Sequence, residues 1–496
     1  MSVESIFAYT IPDNGRVKLI LEDRFLHLDY AQSSSGTVAP PAGCMSSISC
    51  VTPSSLSSAR KPSILYFNIL WAEIGSASMP NYRPTLTIDY CSTTEKKTAE
   101  LQKLRFLIDE SSVETCSDWI QKLLQRAYDA SAGVVRSKRL LILINPFSGQ
   151  GKARNLFNSQ ALPILDAARC KLEEVETKYK GHAAEIVASM ENLEERYDAI
   201  VCCSGDGIPH EVFNGLSRRS DVAKAFSVPV CQLPCGSGNA LCMNLVGCKN
   251  VPFASLCVVK GAPQRMDLCS ITQDGKRHMT FLSQTLGMIA DCDIGTEHLR
   301  WMGEARFTVG IISRVFKKAK YPCKISVRIA HESRSQVRQA YHENKLVPQE
   351  SLPAPEGLPP LKFGTVEDEV PEDWKEIDTD SLAILYVGQM PWMSSDTMFF
   401  PAALPRDGFM DMVIIDGNIP ILESLKILTS VEGGKHFDSK HVHYYKVDAY
   451  RVIPKAKSGY ISIDGEKFNF SPFQVEVHQG LATVLAHHSS FQAPEV

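Results

Sequence analysis

Ala199-Ile200-Val201-Cys202-Cys203-Ser204-Gly205-Asp206-Gly207 decides the fold, because an apolar run ends on a carboxylate set between two glycines. Five apolar residues bounded by a glycine turn read as a buried strand. Glycine lets the backbone turn sharply and approach a ligand closely, with amides left to face phosphate oxygens. Asp206 then stands at the carboxyl end of a strand, where open α/β sheets hold their ligands. Taken alone, the same residues also suit a tight turn whose Asp bonds its own backbone.

Outward from that stretch, strand, glycine loop and helix repeat. Apolar runs at 140–144, 199–203 and 228–233, with a weaker one at 175–177, alternate with helical stretches at 182–190 and 208–216. That alternation is the mark of a parallel α/β sheet. Two more glycine loops follow strands: Asn145-Pro146-Phe147-Ser148-Gly149-Gln150-Gly151-Lys152-Ala153, and Leu233-Pro234-Cys235-Gly236-Ser237-Gly238-Asn239-Ala240. The first is not a P-loop, which needs four residues between its glycines and a Ser or Thr after the lysine. Its free amides and Lys152 nonetheless suit a polyphosphate. Three such loops at the same ends of neighbouring strands line one crevice, which favours a binding site over an isolated turn at Asp206.

With 496 residues the chain has room for two to four domains. A formal net charge of -4 argues against a general nucleic-acid binder. Its 15 cysteines lie within apolar stretches, and the N-terminal residues lack a secretory pattern, so reduced and mostly buried thiols are expected. Cys231 and Cys235 lack a second pair or a nearby His, so no metal site of protein ligands is expected. No apolar run reaches the roughly 18 residues that span a bilayer. The expectation is a cytoplasmic protein whose membrane contact is peripheral; a homo-oligomer is left open.

Three domains are expected. Residues 1–135 form a β-rich module, with period-two alternation at Val17, Leu19, Leu21 and at Leu86, Ile88, Tyr90, and a longer apolar strand at 64–71. The Ser- and Pro-rich stretch 32–62 reads as a mobile loop. Cys116, Trp119, Ile120, Leu123, Leu124 and Ala127 recur at helical spacing and close the module with one amphipathic helix. Such an arrangement resembles a pleckstrin-homology-like module; a private β-rich extension fits equally. Residues 136–252 form the α/β domain. Residues 253–496 are β-rich, with strand-like runs at 265–272, 279–289, 324–329, 382–387, 410–415, 447–453 and 459–464, and with a polar, Pro- and Glu-rich insertion at 331–378 expected to be disordered.

The residues resemble the diacylglycerol-kinase-type lipid kinases, in which Asn145-Pro146, Ser204-Gly205-Asp206-Gly207 and Pro234-x-Gly236-Ser237-Gly238-Asn239 have counterparts in the same order. Within that family the likeness is to sphingosine kinases of the fungal long-chain-base type, specific over 140–314 and thinner over the C-terminal strands. It implies ATP and Mg²⁺ as cofactors, and a sphingoid-base lipid as substrate, bound by the β-rich domain. It makes Asp206 the acceptor of the proton from the lipid's primary hydroxyl, chemistry that needs an aligned acceptor more than a covalent partner. Asn145, Gly149, Gly151, Lys152, Thr177, Ser204, Gly205, Gly207, Glu211, Gly236 and Ser237 become nucleotide-binding candidates. Ser148 departs from the glycine frequent in this loop, and Cys235 from an alanine.

The same resemblance makes Arg300 and Arg306 phosphate-binding, a role suited to the guanidinium fork; a solvated helix face is the plainer reading of that charged stretch. Asp293, with Asp291, becomes the partner of the substrate's protonated amine, an interaction that diacylglycerol and ceramide do not offer; both residues could equally cap a following helix. Ser283 joins them as a substrate-binding candidate. Asp464, Gly465 and Glu466 read first as a hairpin turn, and by resemblance close over the nucleotide and Mg²⁺. His182 and His210 read as structural, and Asp407-Gly408 as a turn. Phe281, Leu282, Leu286, Met288, Ile311 and Phe316 could line an acyl pocket, or simply be core.

Overall fold

The computed structural model describes residues 4–11, 13–30, 62–75, 83–295, 305–347, 356–487 and 491–496, with backbone alone for 305–309. Two compact units emerge: Met1–Arg139 with Leu156–Lys171 and Asn250–Ala262, and Leu140–Asn155 with Leu172–Lys249 and Pro263–Val496.

The first unit is built on an antiparallel sheet of seven strands in the order Ser63–Leu65, Phe25–Tyr30, Arg16–Leu21, Ser5–Thr10, Ala99–Leu107, Thr85–Thr93, Ile69–Gly75. Alternation along Arg16–Leu21 buries Val17, Leu19 and Leu21 on one face. Helix Val113–Ala127 buries Cys116, Trp119, Ile120, Leu123, Leu124 and Ala127, the face its spacing implied. Lys260 Nζ donates to Ala127 O at 3.0 Å at the C-terminus of that helix and lies 3.4 Å from the Tyr128 ring centroid. The strand expected at 64–71 is instead two, split by a turn of 3₁₀ helix at Tyr66–Asn68. The turn's polar side chains explain the break: Tyr66 donates to Glu22 O at 2.5 Å and Asn68 to Thr93 Oγ1 at 3.0 Å. Segments 156–171 and 250–262 also belong to this unit. Periodicity marks an apolar face but not what covers it.

In the second unit, strands Arg139–Ile144, Ala199–Ser204 and Val230–Pro234 are parallel neighbours. All six residues of Ala199–Ser204 are buried, as a strand covered on both faces requires. The long strand Phe473–Ala486 pairs parallel with Val230–Pro234 and antiparallel with Val442–Pro454, so the α/β and β-rich portions share one mixed sheet of 15 strands. The β-rich portion packs two cores, one around Leu385, Met412 and Phe473 and one around Met288, Tyr386 and Phe400. A fully buried Lys446 rivets it, lying 2.8 Å from both Asp407 and Asp411.

Two sequence expectations fail here. The run at 279–289 is strand Lys276–Thr280, strand Ser283–Gly287 and helix Met288–Asp293, broken by Gly287 at φ +109, where a Cβ would lie 2.5 Å from Ala383 O. The insertion at 331–378 is ordered wherever it is described. Helix Arg334–Lys345 carries a capping box between Ser333 and Gln336 and buries Val337, Ala340 and Tyr341. Glu476 accepts from Lys362 N and Phe363 N at 2.9 and 3.1 Å, Arg451 donates to Thr365 O and Asp368 O at 2.9 and 2.7 Å, and strand Lys375–Thr379 pairs with Cys323–His331. Polar composition concealed this order because the partners lie on distant strands.

Candidate active site

Asp206 ends strand Ala199–Ser204 and opens helix Gly207–Leu216. Its carboxylate accepts from Ala240 N at Oδ2 (2.9 Å), and from Leu241 N (3.0 Å) and Gln232 Nε2 (3.3 Å) at Oδ1. The two amides are the first of helix Ala240–Val246, and Gln232 reaches across from the adjacent strand. Burial pushes the Asp206 pKa up, against the downward pull of these three donors; the nearby Asp464 charge adds to the rise. A carboxylate has about four lone-pair sites, so one remains on Oδ2. Beside it lies Gly238, where a Cβ would stand 3.1 Å from Oδ2.

The three glycine loops meet as backbone on backbone. A Cβ on Gly149 would lie 2.4 Å from Cys235 O, and one on Gly236 would lie 2.2 Å from Gly205 N; Gly205 N donates to Ser148 Oγ at 3.1 Å. The Ser148 hydroxyl thus ties two loops together. Gly149, Gln150 and Gly151 have φ of 57, 60 and 79°, a left-handed run whose successive amides form an anion-binding concavity. Asn145 Oδ1 accepts from Phe147 N at 3.0 Å and shapes the entry, while Lys152 and Ser237 are exposed. Asn239 closes the third loop by accepting from Gly236 N and donating to Gly236 O, at 3.0 and 2.8 Å. These loops fit a polyphosphate. Three candidates are turned inward instead. Ser204 Oγ donates to Gly205 O at 2.7 Å, Thr177 is buried beneath Ile144 O, and Glu211 accepts from Gly181 N and Ala183 N at 2.7 and 3.0 Å, which makes it the N-terminal anchor of helix His182–Ser189.

The hairpin Ile461–Ile463/Glu466–Phe468 brings its turn to the same helix. Asp464 is fully buried and accepts five hydrogen bonds, from Thr280 Oγ1, Phe281 N, Leu282 N and Ser283 N at 2.6 to 3.2 Å and from His210 Nδ1 at 2.8 Å. It is a structural pin with no capacity left for a cation, and His210 is structural as expected. Gly465 has φ +81 and open space around it. Glu466 lies at the helix start, Oε1 3.0 Å from where a Gly207 Cβ would be, paired through Oε2 with the exposed Lys180. Oxygen donors suit Mg²⁺. Glu466 fits that requirement, and Asp464 does not.

Asp293 and Asp291 lie on helix Met288–Asp293, and their surroundings separate them. Asp291 accepts from Arg314 Nε at 2.7 Å and Tyr321 OH at 2.8 Å, an internal ion pair that anchors the following helix. Asp293 Oδ2 accepts from Ser462 Oγ at 2.7 Å, on the strand that leads to Asp464. Tyr386, which the sequence did not single out, is buried close enough to feel the acids. Burial raises its pKa, its hydroxyl is hydrogen-bonded to Ser283, and the charges of Asp293, Asp464 and Asp206 all reach it. Gln232 and Tyr386 escaped sequence reading because a polar residue within a strand carries no spacing signal. Of the acyl-pocket candidates, Met288 and Ile311 belong to one apolar core and Leu286 to the other, Phe281 packs on Phe213, Leu282 is buried, and Phe316 is exposed. The Arg300 and Arg306 side chains lie outside the described residues.

A carboxylate with one open oxygen, set under three phosphate-shaped loops at strand ends, defines a phosphotransferase site of the diacylglycerol-kinase fold. The diacylglycerol kinase catalytic domain pattern matches residues 139–271, a YegS C-terminal NAD kinase beta sandwich-like domain matches 362–486, and a domain of unknown function matches 10–129. A crystal structure of a candidate diacylglycerol kinase from Bacillus anthracis str. Sterne shares the fold, with a TM-score of 0.51 at 16% identity over 72% of this chain and 97% of that one. Sphingoid long chain base kinase 5 of Saccharomyces cerevisiae is 34% identical over 88% of this chain and 69% of its own length. Sphingoid long chain base kinase 4 of Schizosaccharomyces pombe is 33% identical over 87% and 90%, and human sphingosine kinase 1 is 31% identical over 69% and 89%. The chain belongs to the family of sphingosine and sphingoid long-chain-base kinases.

Proposed function

We propose that the protein transfers the γ-phosphoryl group of ATP to the primary hydroxyl of a sphingoid long-chain base, giving the 1-phosphate. The observation that carries this reading is Asp206, whose carboxylate keeps one site open at the glycine loops, with Asp293 bonded to Ser462 on the strand that leads to Asp464. One acid has an oxygen open to a hydroxyl, and a second stands nearby for an amine. The left-handed loop at 149–151, with Lys152, holds the nucleotide phosphates. Oδ2 of Asp206 accepts the proton of the lipid hydroxyl as the oxygen attacks, while the Ala240 and Leu241 amides hold the carboxylate in place. Asp293 takes the protonated amine in a charge-assisted hydrogen bond, and Asp291 positions the helix that follows it. Glu466 would hold Mg²⁺, which when bound supplies neutralisation of the developing phosphate charge.

No single helix among the described residues is long and apolar enough to cross a membrane. We place peripheral membrane contact, from the cytoplasm, on the exposed apolar residues Ile312, Phe316 and Leu422, which lie on two helices that pack together. The test is radiolabelled ATP with sphingosine, dihydrosphingosine, phytosphingosine, diacylglycerol and ceramide in turn. Product is expected from the three amines. Product from the amine-free lipids alone overturns the role of Asp293, and no lipid phosphate from any of them overturns the kinase reading in favour of a nucleotide- and lipid-binding adaptor.

A further inference from the structure

Gln389 lies just past strand Leu382–Gly388 and is 1% exposed, yet among the described residues neither its amide nitrogen nor its amide oxygen has a hydrogen-bond partner. No other described side chain has two such atoms. A buried, unsatisfied amide is costly, and an apolar residue of similar size would remove that cost. The neighbours are apolar: Val387 and Met390 are fully buried, and Phe400 fills the space at Gly388, where a Cβ would come within 2.2 Å of its ring.

The backbone fixes where this amide stands. Gln389 N donates to Leu282 O at 3.1 Å, and Leu282 N and Ser283 N in turn bond Asp464. Three residues on, Trp392 N donates to Asn244 Oδ1 at 3.0 Å, and Asn244 Nδ2 donates to Trp392 O at 2.7 Å. Asn244 belongs to the helix whose first amides hold Asp206. The Gln389 backbone is thus bracketed between the segment that binds the Asp464 pin and the helix that holds Asp206.

We infer that the Gln389 carboxamide is a substrate-specificity group that hydrogen-bonds a secondary hydroxyl of the sphingoid backbone, beyond the amine held by Asp293. The inference rests on the sphingoid-base reading. A carboxamide donates and accepts at once, which matches a hydroxyl and distinguishes this position from the acids that serve the amine and the reacting oxygen. Sites built to hydrogen-bond a substrate hydroxyl discriminate against analogues lacking it, because the site's own group is left unpaired.

The test is a cycle between side chain and substrate. Full-length wild type, Gln389→Leu and Gln389→Asn are assayed for kcat/KM on phytosphingosine, dihydrosphingosine and 2-aminooctadecan-1-ol, which carry two, one and no secondary hydroxyls, alongside thermal melts. Gln389→Leu is expected to cost about tenfold wherever the recognised hydroxyl is present and less than twofold where it is absent. A penalty on phytosphingosine alone assigns the C4 hydroxyl; a penalty on dihydrosphingosine as well assigns the C3 hydroxyl. An equal effect on all three lipids, including none, overturns the inference and leaves the amide to a buried water. If Gln389→Leu does not fold, the Asn variant and the wild type decide: equal wild-type kcat/KM on all three lipids also overturns it. Failure of wild type to phosphorylate any sphingoid base would instead sink the functional reading beneath.

Discussion

Ser204-Gly205-Asp206-Gly207 and Ile463-Asp464-Gly465-Glu466 place the same Asp-Gly pair at two turns, and the structure uses them oppositely. Asp206 accepts three hydrogen bonds and keeps one oxygen site open; Asp464 accepts five and is sealed. What separates a reacting carboxylate from a structural one is the count of donors against about four lone-pair sites. In the second turn the open carboxylate is the neighbour, Glu466, which is partly exposed and shared with Lys180.

The strongest attack on that contrast is Asp206→Asn. Turnover should fall by about 10³-fold or more, the upper range for loss of a positioned proton acceptor. The protein should still fold, at a cost of about 1 kcal/mol, because one oxygen becomes an NH₂ that faces the Ala240 amide. Steady-state phosphorylation and a denaturant melt measure both. Near-normal turnover would remove Asp206 from the chemistry.

Asp464→Asn should give the converse. An NH₂ in place of one oxygen opposes at least two donors in a sealed site, so about 2 to 4 kcal/mol of stability should be lost. At a temperature where the variant is folded, turnover should stay within about tenfold of wild type, since none of the donors on Asp464 binds Asp206. A variant that melts like wild type but does not turn over breaks the comparison and makes both aspartates chemical.

The two turns also show what was legible in the sequence. Asp206 could be found because its glycines follow an all-apolar strand and two similar loops flank it, signals that are local and repeated. The parallel strands and the amphipathic helix at 113–127 were legible for the same reason. Asp464 sits after three residues of strand, and its five donors come from Thr280 to Ser283 and from His210, at sequence separations of 181 to 254. Nothing local encodes that. The ordered insertion, whose backbone groups are satisfied by Arg451, Gln474 and Glu476, was misread for this reason, and so was Asp291, whose partner Arg314 is 23 residues away.

Glu466→Gln probes the open member of the sealed turn. It keeps the shape and removes the charge, so the fold should melt within about 0.5 kcal/mol of wild type, as expected for a partly exposed group paired with an exposed lysine. The Mg²⁺ concentration needed for half-maximal activity should rise about tenfold, because a hard cation loses an anionic oxygen. An unchanged Mg²⁺ titration would remove Glu466 from the metal site.

The finest test concerns the donors themselves. Burial raises the Asp206 pKa and its three donors lower it, so deleting one donor must raise it further. Gln232→Met removes the 3.3 Å bond to Oδ1 and leaves the Ala240 and Leu241 amides in place. Because the ionised form accepts the proton, the acid limb of the kcat/KM profile should move to higher pH, by less than about one unit for the loss of a single neutral donor. Activity should therefore fall severalfold on the limb and change little well above it, where both proteins are ionised. The lost bond from Cys242 N to Gln232 Oε1, at 2.8 Å, lowers stability at every pH and so cannot imitate a shifted limb. A limb that stays in place, or moves to lower pH, would mean that Asp206 is not the titrating group, and that the donor count around it sets its position without setting its basicity.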